Sequence, residues 1–245
     1  MGKYLAEFIG TFFLTLTIGC TVLTQMPLAP LAIGGVLAAM VFAGGHVSGA
    51  HFNPAVSVAV LVRGKMLGRE LVPYVVAQSA GATVAALAAR FITDVTPQQA
   101  LSASGRDLGV ATLAEFVWTF ALAYVVLNVA TSRSHPDNHF YGAAIGLTVM
   151  AGAAALGGVS GGVFNPAVAL GLGAAGMLSW AVVPIYVAVQ CVAGLLAALT
   201  FHALNPHERE ADGEIGGDAA VPGQRSAVAD ETVPPTTPGA YAHHS

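Results

Sequence analysis

The 245 residues are 55% hydrophobic and only 9% charged, whereas soluble domains average roughly 25% charged residues. That balance excludes an ordinary soluble domain and puts the chain in a lipid bilayer. The formal net charge of −4 describes one region only, because most of the acidic excess lies beyond Asn205.

Six apolar runs approach or exceed the ~20 residues that cross a ~30 Å hydrocarbon core. They lie near 4–24, 31–47, 71–92, 110–130, 141–157 and 180–203. The first run follows Met1-Gly2-Lys3, as a secretory leader would, but Glu7 interrupts it and no small-x-small cleavage site is clear. Myristoylation is excluded because Ala6 stands where Ser or Thr is required. Cys20 and Cys191 both fall inside spans and read as small buried residues, not as a disulfide or metal pair. No constellation of nucleophile, base or metal ligands appears, so the chain reads as neither an enzyme nor a cofactor or metal binder. Nothing calls for a nucleic-acid partner.

Between the second and third runs stands GHVSGAHFNPAVSVAV (45–60), and GGVSGGVFNPAVALGL (157–172) repeats it 112 positions later. At the same shift, Ile33–Gly49 matches Ile145–Gly161, and Tyr74 with Gln78 matches Tyr186 with Gln190. AEFIGTF from Ala6 returns as AEFVWTF from Ala114. Each half, about 4–92 and 110–203, therefore holds three spans and one FNPAV segment. Three is odd, so the second half enters the membrane from the opposite side, and such inverted repeats place their site near the midplane.

From Asn53 to Val62 only about ten residues precede the basic RGKMLGR loop, a length that suits a re-entrant segment. Asparagine is a preferred N-cap and proline a preferred first helical residue, so each Asn-Pro reads as a helix start. The glycines of GGHVSGA and GGVSGG read as extended backbone leading into it. As caps, Asn53 and Asn165 would accept a backbone N–H and leave their NH₂ groups free to donate outward. Two helix N-termini meeting there, each near +0.5 of an elementary charge, would repel cations and offer donors to a neutral molecule's oxygen.

Charge in the loops orients the chain. Lys3, Arg63, Lys65, Arg69, Arg133 and Arg209 fall on one side and only Arg90 and Arg106 on the other, which puts both termini in the cytoplasm. Residues 1–204 read as a channel domain. The Gly-, Pro-, Ala- and acid-rich 205–245 reads as a disordered cytoplasmic tail.

The paired boxes Asn53-Pro54-Ala55 and Asn165-Pro166-Ala167 resemble the hallmark of the major intrinsic protein family, the aquaporins and aquaglyceroporins. The resemblance covers about 4–203 and implies an all-α membrane fold of six spans and two re-entrant half-helices. It also implies a passive pore for water and small uncharged solutes in each subunit of a homotetramer, in a plasma or inner membrane. By the same resemblance Glu7 and Glu115 hydrogen-bond the Gly-rich loops. His46 and His51, placed on the first loop, support it, since the repeat replaces them with Gly158 and Val163.

The family's second constriction, counted from the boxes, falls on Ile33, Ala153, Gly162 and Val168. Most members carry arginine at the last position, and water-selective ones add histidine and an aromatic. The resemblance therefore implies a wide, apolar constriction admitting glycerol, urea, ammonia, hydrogen peroxide or gas besides water. The alternatives are a solute or gas facilitator with little role in water transport, and a coupled secondary transporter, which shares inverted repeats and broken helices. For the latter only Glu7 and Glu115 are candidate coupling groups, and they lack the chain of titratable neighbours a proton relay needs.

Overall fold

A computed structural model describes residues 1–97, 99–135 and 138–208. In chain order its helices are α1 (Gly2–Leu23), α2 (Ala29–Ser48), α3 (Pro54–Val62), α4 (Gly68–Thr93), α5 (Gly105–Ala130), α6 (Tyr141–Ser160), α7 (Pro166–Ala174) and α8 (Val183–Leu204). Six of them are long and apolar enough to cross a membrane. The six expected spans are all present, with ends displaced by up to five residues. The nine residues of α3 and of α7 rise only about 14 Å each, half a bilayer.

Many threonine hydroxyls in these spans are satisfied locally. Thr11, Thr17, Thr21 and Thr24 each donate a hydroxyl to the carbonyl four residues earlier. The same back-bonding recurs at Thr83, Thr93, Thr131, Thr148 and Thr200, whereas the buried hydroxyls of Thr15 and Thr119 have no hydrogen-bond partner.

The repeat sets the packing. α1 lies along α4 and α5 along α8, while α2 crosses α6. That crossing joins the halves at equivalent glycines: a Cβ on Gly34 would stand 2.6 Å from the Gly146 carbonyl oxygen, and one on Gly146 2.4 Å from that of Gly34. Only a backbone without side chains permits such an approach, as small residues do in membrane helix pairs generally. Each half-helix packs on the last span of the other half, α3 on α8 and α7 on α4. The six crossings leave Met1 and Glu208 on one face, here the terminal side.

The boundary expected at residue 204 moves. Asn205–Glu208 continue past α8 as a further turn whose Glu208 is 1% exposed, so these four residues belong to the folded body and not to a tail. Residues 209–245, the rest of the expected tail, lie outside the described residues.

The half-helix junction as candidate functional site

Both Gly-rich segments break helix at the same point. α2 and α6 end on left-handed Gly49 (φ 84°) and Gly161 (φ 87°), which terminate a helix without a Cβ penalty. The glycines before these caps are helical, so the extended backbone is shorter than the sequence implied, about 49–53 and 161–165. His46 accordingly lies exposed on the last turn of α2 rather than on the loop; the helix runs through Gly44 and Gly45 because tertiary packing outweighs their weak helix propensity.

Phe52 and Phe164, immediately before the asparagines, both hold φ at 49°. Bulky residues rarely occupy that region, and such strain persists only where surroundings over-determine it. The surroundings are the two buried glutamates. Glu7 accepts from Ser48 Oγ (2.6 Å), His51 N (2.9 Å), Phe52 N (2.7 Å) and Gln78 Nε2 (2.8 Å). Glu115 accepts from Ser160 Oγ (2.7 Å), Val163 N (2.9 Å), Phe164 N (2.6 Å) and Gln190 Nε2 (2.8 Å). Four donors each make these carboxylates acceptor-saturated anchors.

Tyr74 and Tyr186 complete both frames by donating to the Ser48 and Ser160 carbonyls, each at 2.8 Å. Sequence reasoning gave no role to Ser48, Tyr74, Gln78 or their partners, although the duplication of Tyr and Gln at one shift was the available signal. His51 braces α3 alone, sharing a 3.1 Å bond between Nδ1 and Ser57 Oγ, which Gln78 Nε2 also reaches at 3.0 Å.

Asn53 and Asn165 cap as expected, their Oδ1 accepting from Ala55 N (2.9 Å) and Ala167 N (3.0 Å). Their amide groups are not both free. Asn53 Nδ2 donates to the Phe164 carbonyl at 2.9 Å, and Asn165 Nδ2 to the Phe52 carbonyl at 2.8 Å. Each asparagine thus ties its half-helix start to the opposite loop and keeps one N–H for other use. The physical reason is the strained Phe turn, which aims its carbonyl across the junction.

A cavity runs past this junction. Ile33, Gly162 and Val168 line it with both asparagines. Ala153 is not among its lining residues; α6 presents Val149 and Ile145 instead. Ala153 sits behind Gly162, whose added Cβ would stand 3.4 Å from the Ala153 Cα. The cavity wall on this side is apolar, formed by branched Ile33, Val149 and Val168.

The far ends of the half-helices are capped differently. Arg90 Nη1 donates to the Ala175 carbonyl beyond α7 at 3.1 Å. His202, at the repeat-equivalent position of Arg90, meets the Val62 carbonyl of α3 at 3.1 Å. On the far side Leu101 bridges Leu178, with Leu101 N to Met177 O and Ser179 N to Leu101 O both 2.9 Å. The inter-repeat connector is thereby laid over the α7 end. No sequence signal marked that bridge.

Together these features define a multi-pass membrane protein of two inverted three-span repeats whose broken helices meet end to end. A profile of the major intrinsic protein family matches residues 1–157 and 139–233. The chain belongs to this family of membrane channels. Aquaporin AqpM of Methanothermobacter thermautotrophicus is 34% identical over 238 residues, covering 82% of this chain and 96% of its own. Glycerol uptake facilitator protein-like 6 of Lactiplantibacillus plantarum is 34% identical over 179 residues, covering 70% and 82%. The aquaglyceroporin of Plasmodium falciparum shares the fold with a TM-score of 0.68 at 23% identity, covering 85% of this chain and 98% of that one.

Proposed function

We propose that the chain is a passive channel conducting water and small uncharged solutes past Asn53 and Asn165, through an apolar constriction that includes Ile33, Gly162 and Val168. One observation carries the reading: the reciprocal Asn53–Phe164 and Asn165–Phe52 bonds, which set two positive helix ends against the cavity that both asparagines line. Those ends oppose cations, and the remaining amide hydrogens offer donors to a passing oxygen. Likeness to a named aquaporin and a named glycerol uptake facilitator supports both cargo classes.

The absence of arginine at 168 favours a second cargo reading, in which glycerol, urea, ammonia or gas crosses and water matters little. A mouth without a fixed charge and its five donors discriminates less among neutral molecules. The channel assembles as a homotetramer in a plasma or inner membrane, with the terminal side in the cytoplasm.

Stopped-flow light scattering on vesicles reconstituted with the chain tests this, using sucrose, glycerol and urea gradients. Flux should be linear in the gradient and indifferent to ionophores. Vesicles in which water and every solute cross no faster than in protein-free ones defeat the channel reading; flux that ionophores abolish favours coupled transport.

A further inference from the structure

The terminal-side end of α3 is held by a cluster that has no counterpart in the second repeat among the described residues. Arg63 is the C-cap of α3, and the repeat-equivalent residue is Ala175, the C-cap of α7. Its guanidinium is buried, lies 4.7 Å from the Phe201 ring and pairs with the equally buried Glu208 carboxylate. The other Glu208 oxygen accepts from Ser132 Oγ at 2.6 Å and from Arg133 N at 3.1 Å. Ser132 Oγ in turn accepts from Ser134 N at 3.2 Å. One carboxylate therefore joins the end of α3, the α5–α6 connection and the turn after α8.

The half-helices explain why such a cluster stands here. The C-terminal end of each carries a negative partial charge that a cation stabilises. For α7 that cation is Arg90, permanently charged. For α3 the equivalent position is His202, and the permanent charge comes instead from Arg63 on α3 itself. An arginine buried at a helix end needs a fixed acceptor; Glu208 supplies one, held by the Asn205–Glu208 turn through Glu208 N to Asn205 O at 3.1 Å.

We infer that Glu208 is a positioning residue for the pore: acting through Arg63, it fixes the axis of α3 and hence the place of Asn53 at the junction. This rests on the channel reading above. It makes the first turn beyond the last span part of the conducting machinery, at a residue the sequence assigned to a tail.

The test uses full-length chain in vesicles and compares wild type, Glu208→Gln, Glu208→Asp, and Arg63→Gln alone and combined with Glu208→Gln. Water permeability per folded molecule is measured together with hydrogen exchange of residues 54–62. Glu208→Gln should lower permeability per molecule roughly threefold or more and speed α3 exchange about tenfold, with Glu208→Asp between it and wild type. Because Glu208 acts through Arg63, the double variant should lose less than the two single variants together. Glu208→Gln molecules that conduct and exchange as wild type overturn the proposal, as do losses in the double variant that simply add. If Glu208→Gln does not fold, Glu208→Asp decides by the same two readings. Wild-type vesicles no leakier than empty ones defeat the channel reading separately, and α3 exchange then still decides whether Glu208 holds the half-helix.

Discussion

Replacing Glu115 by glutamine keeps its size and removes one property, the capacity of both oxygens to accept. The consequence follows from its four donors. If the new NH₂ takes the Oε2 place, it faces Phe164 N–H and the Gln190 amide. Gln190 relieves its share by flipping, because its Oε1 has no hydrogen-bond partner. If the NH₂ takes the Oε1 place, it faces Val163 N–H and the Ser160 hydroxyl, which rotates to accept. Either way one backbone N–H is left without an acceptor in a site closed to water. Losing a hydrogen bond to a charged group costs about 1.5–3 kcal/mol and stranding a buried donor about 1–3 kcal/mol, so with partial overlap Glu115→Gln should destabilise by about 2–4 kcal/mol. The released turn carries Phe164, whose carbonyl receives Asn53 Nδ2, so conductance should fall with stability. Thermal unfolding in detergent and vesicle shrinkage measure the two. Glu7→Gln should behave alike, since its donors and the partnerless Gln78 Oε1 match one for one. Melting and flux equal to wild type in both variants would refute the reasoning.

Val168→Arg places a long cation in the cavity lining and should reduce glycerol and urea flux more than water flux; equal solute flux in variant and wild type counts against this constriction. Gly146→Ala drives a Cβ to 2.4 Å from the Gly34 carbonyl oxygen and should cost about 1–3 kcal/mol by overpacking. Gly157→Ala, where a Cβ meets nothing within 4 Å, should melt at or slightly above wild type, and similar melting of the two alanines would dismiss the close crossing. Burial pushes the Glu208 carboxyl up, but the Ser132 hydroxyl, the Arg133 N–H and the Arg63 guanidinium outweigh it and hold the group below the ordinary carboxylate range. A depressed folded pKa gives stability that is complete at neutral pH and disappears as pH falls through that depressed value. The melting difference between wild type and Glu208→Gln should therefore be full at pH 7 and shrink in strong acid, and a difference independent of pH would argue against the buried pair.

The repeat was legible because both copies keep the residues their common geometry needs. Two Asn-Pro starts, two buried glutamates and two glycine caps recur at nearly constant spacing. The end of α6 moved because its cap, left-handed Gly161, lay beyond the last strongly apolar residue. Positions 33, 162 and 168, counted from the boxes, line the cavity, while Ala153, one turn beyond Val149 on the same face of α6, is not among its lining residues.

Composition and periodicity settled that this chain lives in a bilayer, as six spans in two inverted halves with a helix start in the middle of each. Those are properties of local chemistry, since lipid tolerates only satisfied backbone and Asn-Pro favours a helix start. Two things were decided by tertiary contact alone: the asparagine amides reach across to the opposing Phe carbonyls, and Glu208 closes on Arg63. They join residues 111, 113 and 145 positions apart, and no local pattern records which distant partner the packing will bring within reach.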